Sequence, residues 1–209
     1  MAKKVYNSQP LTQEQKDRAI AYLQISVPSF ADAVLLAKHA HWNVRGPVFM
    51  QLHKLFDKIY NELSDALDTL AERIQQLGGY TNGLAWEIKD KTILSNFFSP
   101  EMVEEEVRDE YPLLYGMSRA LSELSAHCYA AEAASLDFVT QDIYIETGRT
   151  IDKFLWFLEA HIPDGVPGSE GSITNDEAED IEEGFVRDGE KTEESDAGGL
   201  PGGTSSPGA

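Results

Sequence analysis

Cysteine and basic residues are scarce in this 209-residue chain. Cys128 is the only cysteine, which excludes an intrachain disulfide and a cysteine-rich zinc site, so we expect a buried, unreactive thiol and a reducing, cytoplasmic compartment. The 17 lysines and arginines are outnumbered by 36 aspartates and glutamates, giving a net charge of −19. Because contacts to phosphate need basic side chains, this balance argues against a surface built to bind nucleic acid.

Long apolar runs are absent as well. No apolar stretch follows residues 1–6, so we predict no secretory signal. No run reaches the roughly 18 apolar residues that a membrane-spanning helix needs, so we predict no membrane partner. Convincing strand alternation is also missing. With 42% hydrophobic residues, the chain still has enough apolar side chains for one substantial core.

The composition changes near residue 163. From 163 to 209 there are 13 acidic residues, 2 basic residues and 10 glycines. Few apolar side chains are present there to offset the entropy of ordering the segment. We therefore predict a short N-terminal tail over 1–11, a globular domain over 12–162, and an acidic, Gly/Pro-rich, largely disordered tail over 163–209. Within this tail, 176–186 has the pattern of a short acidic helix.

Apolar residues recur at spacings of three and four in the globular domain, which predicts helices. The first helix begins after Thr12, where a glutamine three residues later suggests a capping box. It should be kinked at Pro28 and end near residues 45–47, where glycine and proline follow one another. The second helix carries one apolar stripe over 49–77 and ends at the glycine pair 78–79.

A longer connection over 80–98 follows, with a short helix predicted at 85–89. The third helix is predicted over 99–133 with a kink at Pro112, and the fourth over 137–161. The residues of the fourth helix predicted to face the core are Phe138, Ile145, Ile151, Leu155 and Leu158. The predicted fold is therefore all-α, a four-helix bundle with a short extra helix in its long crossover.

Two pairs of potential metal ligands lie on the second helix. His53 and Asp57 are four residues apart, as are Asp68 and Glu72, so each pair shares a face. Eleven residues separate Asp57 from Asp68, which places both pairs on nearly the same stripe but about 16 Å apart along the axis. One metal ion cannot bridge that distance within one helix.

The two pairs can meet if two copies of this helix cross antiparallel about a twofold axis. His53 and Asp57 of one copy then face Asp68 and Glu72 of the other, and His41 can fold back beside His53 as a third ligand. A twofold contact creates two identical sites. Imidazole with carboxylate suits iron and also zinc or manganese. The alternative is that these residues are ordinary solvated side chains of an inert helical assembly.

Several segments resemble the Dps proteins, the miniferritins also called DNA-binding proteins from starved cells. They are HWNVRGP at 41–47, DTLAER at 68–73 and DKFLWFLE at 152–159, with His53 and Asp57 at matching spacing. The resemblance covers roughly residues 12–162 and implies a ferritin-like four-helix bundle. The Glu-x-x-His motif of the larger ferritins does not occur in the sequence.

The resemblance implies iron ligands at His41, His53 and Asp57 from one subunit and at Asp68 and Glu72 from its twofold partner. It further implies a hollow dodecamer that oxidises Fe(II) with hydrogen peroxide or dioxygen and stores ferric mineral, protecting the cell against oxidative damage. Other residues with an expected part are Trp42, as a radical quencher or electron relay; His39, as an added metal ligand; and Glu132, Asp137 and Asp142, around an iron-uptake pore.

DNA binding is the second function that the resemblance suggests. Members that bind DNA do so mainly through flexible tails rich in lysine and arginine. Here the segment before the first helix carries only Lys3 and Lys4, and the tail over 163–209 is acidic. We therefore expect weak or absent DNA binding, and we keep a nucleoid protein of the same family as the disfavoured alternative.

Overall fold

The computed structural model describes residues 9–96, 110–134 and 136–162, which form helices and no strand. The helices are α1 (Gln13–Asn43), α2 (Phe49–Gln76), α3 (Ala85–Lys91), α4 (Glu110–Ala133) and α5 (Phe138–Glu159). The predicted all-α class is confirmed. The predicted start of the third helix at Ser99 and the tail over 163–209, with its short helix, lie outside the described residues.

The N-terminus of α1 has the predicted capping box. The Thr12 hydroxyl accepts a hydrogen bond from the Gln15 amide at 3.2 Å, and the Gln15 side chain accepts one from the Thr12 amide at 2.9 Å. Two donors that a helix end leaves unpaired are thereby satisfied. The helix continues through the buried Pro28 and ends at Asn43, two residues before the predicted stop.

The apolar stripe of α2 faces the core as predicted. Six of its residues are fully or almost fully buried: Leu52, Phe56, Ile59, Leu63, Leu70 and Ile74. The helix ends at Gln76, and Gly78 follows with a φ of 90°, which a glycine adopts without steric cost. The Gly79 amide then donates to the Ile74 carbonyl at 2.9 Å, closing the helix end.

The helices pack as two hairpins. α1 packs on α2 across the short turn at 44–48, and α4 packs on α5. Contacts of α1 with α4 and of α2 with α5 join the hairpins into a four-helix bundle. α3 lies in the crossover and packs on α1, as the predicted extra helix.

The prediction for the inward face of α5 was partly wrong. Ile151 and Leu158 are buried, but Phe138 is 78% exposed and Ile145 is 44% exposed. Residues six apart on a helix are rotated by about 240°, so Ile145 and Ile151 cannot share one face. The buried face of α5 instead includes Tyr144, Gly148 and Ile151, which follow one another at about one turn each.

Polar side chains link three helices inside the core. The Ser26 hydroxyl of α1 lies 2.7 Å from His127 Nε2 of α4 and 2.7 Å from the Tyr144 hydroxyl of α5. All three residues are almost fully buried, so these hydrogen bonds replace water that the core excludes. Cys128 is buried beside them as predicted, and burial raises the pKa of its thiol.

Among the described helices, α1 alone has the length and composition to cross a membrane. Yet 44% of its most apolar window is buried inside the protein. Residues such as Leu23, Val27 and Phe30 are in the core, where they contact the other helices. The apolar side chains of α1 are thus part of the core of the bundle.

Candidate metal centre

The turn between α1 and α2 places His41 beside His53. The His41 Nδ1 lies 2.8 Å from the carbonyl oxygen of His53, and the His53 Nδ1 lies 2.9 Å from the carbonyl oxygen of His41. The two rings stack with centroids 3.7 Å apart. Because a carbonyl oxygen only accepts, each Nδ1 must carry the proton. A neutral imidazole so protonated keeps a lone pair on Nε2, which is the form that binds a metal ion.

Asp57 adds a carboxylate to this histidine pair. It lies one turn after His53 on α2, and its Oδ1 is 3.9 Å from His41 Nδ1. The side chain is 44% exposed, which leaves it open toward solvent. The three predicted ligands of one half-site are therefore neighbours in the structure.

Lys38 occupies the other side of Asp57. Its Nζ donates a hydrogen bond to Asp57 Oδ1 at 2.6 Å and lies 4.1 Å from the centroid of the Tyr60 ring. The hydrogen bond and charge of Lys38 hold the pKa of Asp57 below its usual range. An ammonium group thus neutralises the carboxylate within the single chain.

Asp68 and Glu72 are not part of this group. Both are exposed on α2, about three and four turns further along the helix than Asp57. No cluster of three or more histidine, cysteine or acidic side chains suited to a metal ion is found within the described residues. The predicted ligands of one chain therefore fall into two separate sets.

Trp42 and His39 lie next to the histidine pair in sequence, but their surroundings differ. Trp42 is 71% exposed. His39 is partly buried, which lowers the pKa of its imidazole, and the Asn43 side chain donates a hydrogen bond to its carbonyl at 2.8 Å. His39 Nδ1 also lies 3.4 Å from Asn43 Nδ2. His39 is therefore engaged with its own helix turn, whereas His41 is engaged with α2.

The three residues predicted to line a pore have different roles in the structure. Asp137 caps α5 and is buried, with its Oδ1 2.7 Å from an Arg73 nitrogen. Burial alone would raise the pKa of this carboxyl, but hydrogen bonds from Thr140 and the Arg73 charge hold it below its usual range. Glu132 and Asp142 are exposed. The pore prediction therefore depends on Glu132 and Asp142, while Asp137 serves the bundle itself.

Sequence reasoning did not find Lys38 or the partners of the histidines. Lys38 lies three residues before His41, so a helical α1 places both on one side, and this spacing is visible in the sequence. The two backbone carbonyls leave no such signal, because they depend on the conformation of the turn at 44–48.

Comparison with known proteins gives the class and then the family. The ferritin-like domain family matches residues 20–165, so the chain is a ferritin-like protein. It is 32% identical over 152 residues to the DNA protection during starvation protein of Agrobacterium fabrum, spanning 73% of this chain and 92% of that protein. The chain belongs to the Dps family.

Two solved structures agree with this assignment. Dps from Microbacterium arborescens, in a high iron form, has a TM-score of 0.65 and 29% identity, and the match covers 74% of this chain and 97% of that one. Dps from Mycobacterium smegmatis has a TM-score of 0.68 and 25% identity, covering 79% and 96%. The family is associated in general with iron storage and DNA protection, and it implies that this chain binds iron.

Proposed function

We propose that this protein is a ferroxidase that oxidises Fe(II) at sites shared by two copies of the chain and stores the ferric product. Each site takes His41, His53 and Asp57 from one copy and Asp68 and Glu72 from the other. The observation that carries this proposal is the histidine pair, whose Nδ1 protons are held by backbone carbonyls so that both Nε2 atoms are available.

The separation along α2 explains why two copies are needed. The two ligand sets lie about 16 Å apart on one helix, and an antiparallel crossing of two such helices brings unlike sets together. Exposed apolar side chains lie close to the histidine pair in the sequence and favour burial against a partner: Trp42, Phe49 and Met50. We therefore propose a homo-oligomer, a dodecamer by its family resemblance, located in the cytoplasm.

The residues determine which chemistry such a site favours. Imidazole nitrogen atoms and carboxylate oxygen atoms bind iron, and the negative charge of the carboxylates stabilises Fe(III) relative to Fe(II). Two Fe(II) ions held close together supply two electrons to one hydrogen peroxide, which takes up two protons and leaves as two water molecules. Because both electrons leave together, no hydroxyl radical is released. Dioxygen is the alternative oxidant. Zinc would bind to the same ligands but would not be oxidised.

The test is anaerobic loading with Fe(II) followed by hydrogen peroxide, with ferric absorbance recorded over time. We expect the Asp68→Ala/Glu72→Ala double variant to oxidise Fe(II) at least about tenfold more slowly than the wild type, because half of each site is lost. The matched control is Glu62→Ala/Asp65→Ala, which removes two exposed carboxylates from the same helix.

Assembly of each variant is checked by light scattering before the rates are compared. Equal, slow oxidation by the wild type and both double variants would contradict the proposal. Zinc binding with no oxidation of Fe(II) would instead support a metal-binding assembly without enzymatic activity.

A further inference from the structure

Lysines lie beside aromatic rings where the first half of α2 packs near the end of α5. The ring centroids of Trp156 and Phe157 are 5.0 Å apart, and those of Phe157 and Phe154 are 6.1 Å apart. Lys153 Nζ lies 5.8 Å from the centroid of the Phe157 ring, and Lys58 Nζ of α2 lies 5.9 Å from that of Phe154. Close contacts therefore connect the two lysines across two helices. We call Lys58, Lys153, Trp156 and Phe157 the lysine–aromatic patch.

The patch is open in the single chain. Trp156 is 65% exposed, whereas Phe154 belongs to the core. Lys58 and Lys153 are exposed as well, and neither forms an ion pair within the part of the chain that the structure describes. An exposed tryptophan beside two uncompensated lysines favours a partner that is both acidic and apolar.

The carboxylates next to these lysines in sequence are engaged elsewhere. Asp57, which precedes Lys58, accepts a hydrogen bond from Lys38 at 2.6 Å. Asp152, which precedes Lys153, accepts hydrogen bonds from two hydroxyl groups of α4. The positive charge of the patch is therefore not neutralised by its sequence neighbours.

Two pairs of like charges meet at this surface. Lys54 and Lys58 are one turn apart on α2, Arg149 and Lys153 are one turn apart on α5, and all four are exposed. Like charges at this spacing destabilise a helix, and a negative partner offsets that effect. Further from the end of α5, the same two helices line a small pocket that carries three carboxylates: Glu62, Asp65 and Glu146. A negative partner is therefore favoured only at the lysine end.

The chain contains a segment with the required chemistry. Residues 176–186 include six acidic residues and no basic one. Ile181 and Phe185 are four residues apart, so they share one face if the segment is helical. Two apolar anchors at this spacing are typical of a helix that lies in a groove, and a segment with few apolar residues can fold when it binds.

The position of this segment in the chain favours contact with the patch. Lys153, Trp156 and Phe157 lie in the last two turns of α5, close to residue 162. Thirteen residues separate residue 162 from residue 176, and a chain of that length spans at most about 45 Å. A tether this short gives an effective concentration on the order of millimolar, so a weak contact is enough to keep the patch occupied.

We propose that residues 176–186 dock on the lysine–aromatic patch of their own chain. The acidic side chains pair with Lys58 and Lys153, and Ile181 and Phe185 cover Trp156. The contact neutralises a basic surface of a strongly acidic protein with the chain's own carboxylates. It goes beyond the proposed function and does not depend on the metal chemistry.

The first test is cross-linking of the full-length protein with a carbodiimide, which joins a lysine amine directly to a carboxylate in contact with it. Peptide mass spectrometry should find Lys58 and Lys153 linked to carboxylates within 176–183. Lys89, an exposed lysine of α3, is the control and should not be linked to this segment. The links should become rare at about 1 M salt, where charges are screened within about 3 Å.

Protein assembled from a mixture of 15N-labelled and unlabelled chains identifies the source of the segment. Links within chains of one label are expected. Links found only between labelled and unlabelled chains would assign the occupant to a neighbouring copy and overturn docking within the chain.

The second test is quenching of Trp156 fluorescence by acrylamide, in a Trp42→Phe/Trp86→Phe chain that keeps Trp156 as its only tryptophan. Ile181→Ser/Phe185→Ser and Lys58→Glu/Lys153→Glu should each raise the quenching constant about twofold, because the tethered segment no longer covers the ring. Leu200→Ser, an apolar substitution outside the segment, and Lys89→Glu are the matched controls and should leave quenching unchanged.

Circular dichroism checks that each variant keeps its helices, and the replaced residues are exposed or lie beyond residue 162. The absence of any link from Lys58 or Lys153 to 176–183 overturns the proposal. Equal quenching before and after Ile181→Ser/Phe185→Ser also overturns it, because Trp156 is then either uncovered or covered by something else.

Discussion

At the scale of single residues, the candidate centre is defined by how its side chains are held. His41 and His53 each donate a ring proton to the backbone of the other's helix end. This arrangement fixes one tautomer and one ring orientation before any metal arrives, which lowers the cost of ordering the ligands on binding. The sequence predicted that His41 folds back beside His53. It did not predict the two carbonyl partners, because their positions depend on the conformation of the turn at 44–48. The role of the five residues as ligands stays a prediction.

Lys38 should compete with a metal ion for Asp57. Its ammonium is 2.6 Å from the carboxylate that the proposed site needs. We expect Lys38→Met to bind Co(II), a spectroscopic substitute for Fe(II), about fivefold more tightly, because the ammonium no longer competes with the metal ion for the Asp57 carboxylate. The measurement is an anaerobic titration followed by visible absorbance.

Lys38→Arg retains the charge and should stay close to the wild type. Lys54→Met removes an exposed lysine from α2 and serves as the control for a change in overall charge. Weaker or unchanged Co(II) binding by Lys38→Met would show that the lysine does not restrain the carboxylate.

His127 should make the fold sensitive to acid. Burial lowers its pKa from 6.5 to about 4, so the folded state holds the neutral ring. Between pH 6.5 and about 4 the unfolded chain binds more protons than the folded one, and stability falls as the pH falls. The loss is of order 3 kcal/mol by linkage.

The measurement is the urea midpoint from pH 7 to 4 at one protein concentration. His127→Gln cannot titrate and should lose much of this dependence, whereas the exposed His161→Gln should keep it. A His127→Gln profile that is parallel to the wild type would assign the acid sensitivity to other groups.

At the scale of helices, the limits of a helix were predicted most accurately where the apolar periodicity and the capping residues indicate the same end. α2 shows both, with one apolar stripe and a glycine stop, and its predicted and observed limits nearly coincide. The inward face of α5 was harder, because apolar residues lie on two sides of that helix. Phe138 and Ile145 follow the helical repeat with one another but not with Ile151, and spacing alone does not say which of the two sides faces the core.

The ion pair of Arg73 with Asp137 should be important for joining α2 to α5. Both side chains are almost fully buried, and Asp137 also caps α5. Removing one member leaves the other charge buried, so we expect Asp137→Ala to lower the free energy of unfolding by about 3–5 kcal/mol. The measurement is urea denaturation at neutral pH.

Glu146→Ala is the comparison, since Glu146 is an exposed carboxylate on the same helix. It should have little effect on the unfolding of a single subunit. Equal, small losses in both variants would mean that the buried pair contributes no more than a surface carboxylate.

At the scale of the whole molecule, charge decides which partners are favoured. A net charge of −19 attracts Fe(II) and repels the phosphates of DNA. Membership of the Dps family associates the chain with DNA protection, and the composition favours protection through iron chemistry over protection by direct binding.

An electrophoretic mobility assay tests the conclusion. We expect no shift of a duplex at about 150 mM salt, and at most weak binding when the salt is lowered to about 20 mM. The control is a basic DNA-binding protein of similar mass in the same buffer. Tight binding at the higher salt concentration would contradict the prediction.

The distance between the two ligand sets on α2 has a consequence for the newly made protein. If one chain holds only half of each centre, a monomer leaving the ribosome has no means of oxidising iron. Activity then appears only when chains meet, and at high dilution it should rise with the square of subunit concentration. On the proposed mechanism, synthesis would be separated in time from iron oxidation, and ferric product would form only where copies of the chain are already assembling.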